Sequence, residues 1–181
     1  MSDGYDIEAV RREWIGTKTE LRPGRYPVEY DPIRRHCQMV GDTNPLFLDP
    51  EYASAGKWGE VIAPPVMVDY FAGNGAWPRV EEPDATRGIP TRGDRAINLN
   101  TAWEFLKPVR VGDRLSRQTE VVDIYEKAIR LDPKAVWTVT ETNIYNQDGE
   151  LVAVGRNTLL RHRTPEEVAA DSGSQQKEAA P

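Results

Sequence analysis

The chain of 181 residues contains one cysteine, Cys37, which excludes an intrachain disulfide and a thiolate-bound metal cluster and suits a reducing compartment. No apolar stretch approaches the roughly 20 residues that span a membrane. The N-terminal MSDGYDIEAVRREW has two acids in its first six residues and lacks the apolar centre of a signal peptide. A soluble, cytoplasmic protein is expected. There is no uninterrupted run of Lys or Arg either: 23 basic residues stand against 29 acidic ones, for a net charge of -6. Without a phosphate-tracking face, nucleic acid is not expected as a partner.

What the chain has is enough length for one well-filled core, and too little for two independent ones. A single domain is expected over residues 1–163. From Thr164 the sequence TPEEVAADSGSQQKEAAP holds one sizeable apolar side chain, Val168. With so little to bury against the entropy of ordering, residues 164–181 are predicted to be a disordered acidic tail. No long internal repeat is visible, which excludes a solenoid.

The second half alternates with the period of a half-buried strand. In AINLNTAWEF, residues Ile97, Leu99, Thr101, Trp103 and Phe105 share a face. RLSRQTEVVDIY follows after a break at Pro108 and Gly112. KAVWTVTETNIY and ELVAVGRNTLL then flank NQDG, whose Asp148-Gly149 pair suits a tight hairpin. An antiparallel meander is predicted, with Trp103, Trp137 and Tyr145 in its core or at an interface.

The first half reads as short helices. Asp31-Pro32 fits an N-cap and first helical position, Ile33, Cys37 and Val40 fall at helical spacing, and Gly41 supplies the stop. A second start at Asp49-Pro50 carries EYASA to Gly56. A third begins near Pro65 and runs through VMVDYFA to Gly73; it is apolar almost all round, which predicts burial. A buried helix followed by antiparallel strands gives an α+β fold with the sheet wrapped around the helix.

Five pieces, YDPIRRHCQMVGDTNPLFLDPEYA, WGEVIAPPVMVDYF, AWEFLKPVRVGDRL, VVDIYEKA and ETNIYNQDGELVAVGRNTLLRHR, resemble in order the MaoC-like hydratases and dehydratases of the hotdog fold. The branch they resemble is the N-terminal half of fatty-acid-synthase-like dehydratases. The resemblance covers residues 26–163. It implies a long central helix after Pro65, a curved sheet meeting a second hotdog, and reversible hydration of a 2-enoyl thioester on coenzyme A or a carrier protein. The product would be the (R)-3-hydroxyacyl thioester, with neither metal nor redox cofactor.

In catalytic members of that family the loop reads G-D-x-N-P-x-H, and its Asp and His hold one water as acid and base. Here Gly41, Asp42, Asn44 and Pro45 match, while Phe47 occupies the histidine position. An arene carries no proton, so the dyad is incomplete: Asp42 and Asn44 are what remains of the catalytic set. Each also has a structural reading, as a turn cap and a loop-shaping residue. His36 and His162 are not expected to substitute. The residues expected to meet the acyl group are Phe47, Pro64, Val66, Met67 and Tyr70. Ala63-Pro64-Pro65 removes two N–H donors at the helix start, leaving those of Val66 and Met67 for a thioester carbonyl.

The resemblance therefore implies a substrate-binding, catalytically incomplete subunit that works with a second hotdog carrying Asp and His, which this chain is too short to include. Three other readings stand beside it: a self-sufficient homodimer using Asp42, a non-catalytic acyl-CoA binding protein, and a thioesterase using Asp69 on the central helix. Arg79, Arg87, Arg92 and Arg95 offer guanidinium groups for coenzyme A phosphates. They are interleaved with Glu81, Glu82, Asp84 and Asp94, which favours a solvated loop.

Overall fold

The computed structural model describes residues 5–75, 78, 80, 81 and 83–178. Helix α1 (Ile7–Trp14) starts at Asp6, whose carboxylate accepts from the Glu8 and Ala9 N–H groups. Then come β1 (Arg22–Pro23), α2 (Tyr30–Val40), α3 (Pro45–Leu48) and α4 (Pro50–Ala55). A 3-10 turn (Pro65–Met67) leads into α5 (Val68–Ala72). Four long strands follow, β2 (Arg95–Phe105), β3 (Ser116–Glu126), β4 (Val136–Tyr145) and β5 (Leu151–His162), and then α6 (Pro165–Glu178).

The strands form one antiparallel sheet in the order β1-β3-β4-β5-β2, so the α+β expectation holds. The meander is confined to β3, β4 and β5, and β2 pairs with β5 rather than with its successor. The break at Pro108 and Gly112 accounts for this. The backbone there bonds across to the segment before the 3-10 turn, with Ala63 N–H on Val109 O at 2.7 Å and Val111 N–H on Val61 O at 3.2 Å, which carries the chain to the far side of the sheet. Within β2 a register shift between Asn98 and Asn100 turns the strand. Thr101, Trp103 and Phe105 therefore share a face, while Ile97, opposite Leu160, lies on the other.

The helical punctuation is mostly as read. Gly41 closes α2 in the left-handed region at φ 73°. Asp49 caps α4 through the Glu51 and Tyr52 N–H groups. However, α2 begins at Tyr30, and Asp31 lies in its first turn rather than capping it. Hydrogen bonds from Arg35 and Arg34 hold the Asp31 carboxyl below the usual carboxylate range. Val40 is exposed, and Ile33 and Cys37 alone anchor α2 in the core.

The segment over the sheet has the bounds that the sequence predicts, but it is shorter than the long helix the resemblance implies and less buried than its apolar letters suggest. It spans the eight residues from Pro65 to Ala72. Met67, Val68, Phe71 and Ala72 join the main core with Val28, Ile144 and Ala153. Val66 and Tyr70, one helical turn apart, are 70% and 60% exposed. A second cluster around Val10, Ile89, Val121, Ile124 and Val136 fills the other end of the sheet. Gly24 sets how the first half meets α5: a Cβ there would lie 2.3 Å from the Phe71 carbonyl oxygen. Gly24→Ala is expected to destabilise by about 1–3 kcal/mol through overpacking. Urea unfolding measures this, and an unchanged midpoint would show that α5 shifts freely.

Where composition predicts a disordered tail, residues 165–178 form α6. Thr164 Oγ1 accepts from the Glu167 N–H and the Glu167 carboxylate accepts from the Thr164 N–H, a reciprocal capping box. Asp171 then ties the helix to Arg163 at 2.8 Å and Lys134 at 3.2 Å. Residues 179–181 lie outside the described residues.

Candidate functional site

The opening of the site is the turn between α2 and α3. One Asp42 carboxylate oxygen accepts from the Asn44 N–H at 2.9 Å, and the Asn44 side-chain oxygen accepts from the Leu46 N–H at 3.1 Å, capping α3. Both residues thus shape the loop, as an Asp-x-Asn-Pro sequence favours. Phe47 is 8% exposed and packs in the main core with Ile33, Cys37 and Val68. Core packing explains this ring as well as an acyl-channel wall does, and the core is where it lies: Leu46, Phe47 and Leu48 fall in a single turn, and this ring takes the inward position. The same geometry turns position 47 away from solvent, where a proton-transfer group would have to meet water.

A groove of about 520 Å³ lies between α2 and the segment from Pro65 to Ala72. Val66, Met67 and Tyr70 form one side; Pro32, His36 and Met39, successive turns of α2, form the other. Asp31 and Arg35 stand at its rim, bonded to each other at 2.6 Å. Three of the five residues expected to meet substrate are therefore brought together. Pro64 is not among them, being buried. Its neighbour Pro65 faces an adjoining cleft of about 260 Å³ with Val66, Asp69, Trp103 and Phe105. Of the two expected backbone donors, the Met67 N–H is taken by the Pro64 carbonyl at 2.9 Å. That leaves Val66 N–H at the groove.

His36, Pro32 and Met39 were not assigned a role from sequence. Their i, i+4, i+7 spacing, opposite the Ile33 and Cys37 face, was the available signal. The remaining candidates are engaged elsewhere. His162 Nδ1 lies 2.8 Å from the Arg163 carbonyl oxygen. Asp69 pairs with Arg117 at 3.4 Å in the smaller cleft. Arg92 pairs with Glu126 at 2.7 Å over the Tyr5 ring, and Arg87 pairs with Glu81. Arg79 and Glu82 lie outside the described residues. A further cavity of about 550 Å³ beside Trp14 mixes Lys18, Arg22 and Arg87 with Glu81 and Asp84, so it presents no convergent charge, and we place the site at the groove. Trp103 stacks on Phe105 at 6.2 Å and Trp137 on Tyr125 at 5.9 Å. Among the described residues no group of three or more His, Cys, Asp or Glu is placed to hold a metal ion, and no helix is long and apolar enough to cross a membrane.

This geometry has relatives. Over 170 residues the chain is 34% identical to a probable enoyl-CoA hydratase alpha subunit of Thermomonospora curvata, a match covering 88% of this chain and 53% of that one. The chain thus spans about half the length of that relative. Among solved structures, a chain of the ChsH1-ChsH2 complex from Mycobacterium tuberculosis superposes with a TM-score of 0.72 at 20% identity, covering 87% of this chain and 94% of that chain. A MaoC-like dehydratase from Rhodospirillum rubrum superposes with a TM-score of 0.58 at 21% identity, covering 83% and 94%. The model of the FAS1-like dehydratase domain region matches residues 13–154. The chain belongs to that family, the FAS1-like dehydratase domain region, and has the hotdog fold of MaoC-like dehydratases.

Proposed function

We propose that this chain is the acyl-thioester-binding, catalytically incomplete subunit of an (R)-specific 2-enoyl-CoA hydratase, and that a second hotdog subunit supplies the acid–base pair. The observation that carries the reading is the loop at 42–47. It keeps the family's fold-shaping residues while an aromatic ring, buried in the core, stands where the family's base stands. Hydration delivers a proton to the α-carbon and hydroxide to the β-carbon, so a site with one carboxylate committed to a turn lacks half the machinery. The groove between α2 and α5 receives the acyl chain, and coenzyme A or a carrier protein enters as part of the substrate.

A free edge of the sheet supports a place for the partner. Among the described residues β2, eleven residues long, pairs with β5 alone and no strand covers its outer edge. Ile97, Leu99, Phe105 and Leu106 beside it are exposed. A long apolar edge of this kind calls for a covering strand. The relative named as an alpha subunit and the neighbour solved as a two-component complex support a heteromer. In the cell the assembly is placed in the cytoplasm.

The test is reconstitution. The lone chain should bind acyl-CoA yet hydrate 2-enoyl-CoA some 10²–10⁴-fold more slowly than its mixture with a hotdog subunit retaining G-D-x-N-P-x-H, the range that a missing acid–base group accounts for. Full turnover by the pure chain would overturn the proposal.

A further inference from the structure

The groove contains polar groups that nothing in the loop chemistry uses. Its walls carry four polar side chains: Asp31, Arg35, His36 and Tyr70. Asp31 is engaged by Arg35 and by Arg34, each at 2.6 Å. Neither the His36 imidazole nor the Tyr70 hydroxyl makes a hydrogen bond or ion pair among the described residues; the Tyr70 ring only meets Phe71 edge-on, with centroids 5.1 Å apart. His36 is half-buried, on the turn of α2 between Pro32 and Met39. The rest of the lining is apolar, formed by Pro32, Met39, Val66 and Met67. Two free hydrogen-bonding groups in one groove with such a lining suit a ligand with an apolar body and one acceptor oxygen.

We propose that His36, together with the Tyr70 hydroxyl, binds the carbonyl oxygen of the acyl thioester while the chain lies over Met39, Val66 and Met67. This rests on the acyl-binding reading above, and it assigns the carbonyl to a side chain of α2. The usual expectation gives that task to backbone donors at the start of the central helix. In this chain two prolines and the Met67-to-Pro64 bond leave Val66 N–H for it. The unpartnered imidazole makes up the deficit. His36 is a binding residue here, with no proton transfer assigned to it.

The experiment compares octanoyl-CoA with S-octyl-CoA, the thioether lacking the carbonyl oxygen, by calorimetric titration of the intact chain. A hydrogen bond of ordinary strength makes the parent prefer the thioester by about 3–10-fold. His36→Phe, which keeps the bulk of the ring, should bring that preference close to one, the ratio of the two affinities cancelling any change in apolar contact that both ligands share. His36→Gln, which keeps a donor, should restore most of it, and Tyr70→Phe should lower it in part. A preference that survives His36→Phe, or an equal loss for both ligands, overturns the assignment and leaves the acyl-binding reading standing. Failure of the parent to bind either ligand overturns both.

Discussion

Asp132→Asn should lower the stability of the folded chain by about 3–5 kcal/mol, the cost of leaving a buried charge without its counter-ion. Asp132, in the connection between β3 and β4, is fully buried, and Arg163, just after β5, is 5% exposed. The guanidinium donates to both carboxylate oxygens, at 2.7 Å from Nη2 and 3.1 Å from Nε, and the Arg163 and Lys134 backbone N–H groups donate to the same carboxylate. Asparagine keeps an acceptor for one or two of these bonds but strands the cation, which retains only Asp171 at 2.8 Å. Against a total stability of about 5–15 kcal/mol for a single domain, the loss should be obvious as a fall in the urea midpoint. Adding Arg163→Met should recover part of it, because the removal of both partners avoids an unpaired buried charge. A loss under 1 kcal/mol, or a double variant no better than the single, would show that the pair is not what closes this end of the sheet.

The same pair predicts a pH dependence. Burial alone would raise the Asp132 carboxyl; hydrogen bonds from the Arg163 side chain, the Arg163 backbone and the Lys134 backbone outweigh it and bring the group from 3.8 down to about 2. Because the folded value is the lower one, the unfolded chain binds the proton first. The stability that Asp132 contributes is complete above the unfolded value and lost as pH falls from about 4 through about 2. Asp132→Asn should flatten the acid limb of the stability curve over that interval.

What the sequence disclosed and what it hid follow a physical division. Features set by neighbours in the chain were legible: Asp49-Pro50 opening α4, Gly41 closing α2, and the NQDG connection, where Gly149 has φ 75° and its N–H bonds Asn146 O at 3.1 Å. Features set by distant partners were not. The hydrophobic pattern of AINLNTAWEF gives a strand, but the extra residue near Leu99 that turns it comes from pairing with β5. The apolar letters of the segment after Pro65 imply burial on all sides, yet Val66 and Tyr70 stay open because the sheet contacts one face. The tail is a different case. Its composition is poor in apolar groups, but the Thr164-Pro-Glu-Glu167 capping box is written in plain local letters. That signal was present and outweighed by the composition. The groove was half legible: Val66, Met67 and Tyr70 follow from the resemblance. The α2 wall could be found only once it was known which face α2 turns to the core.

The loop bears on the proposal most directly. Phe47→Ala should cost about 3–5 kcal/mol, as for a large ring removed from a packed core, with little change in acyl-chain preference. Phe47→His restores the family's letter at this position, yet it should leave the lone chain unable to hydrate 2-enoyl-CoA. The side chain at 47 lies within the main hydrophobic cluster, so an imidazole there buries nitrogen atoms among apolar groups, at about 1–3 kcal/mol for the unmet hydrogen bonds. Urea unfolding and an enoyl-CoA hydration assay on the same preparation separate the two effects. A Phe47→His variant as stable as the parent and about 100-fold or more active would mean that the loop turns position 47 toward water. In that event the buried ring would no longer argue for a borrowed acid–base pair.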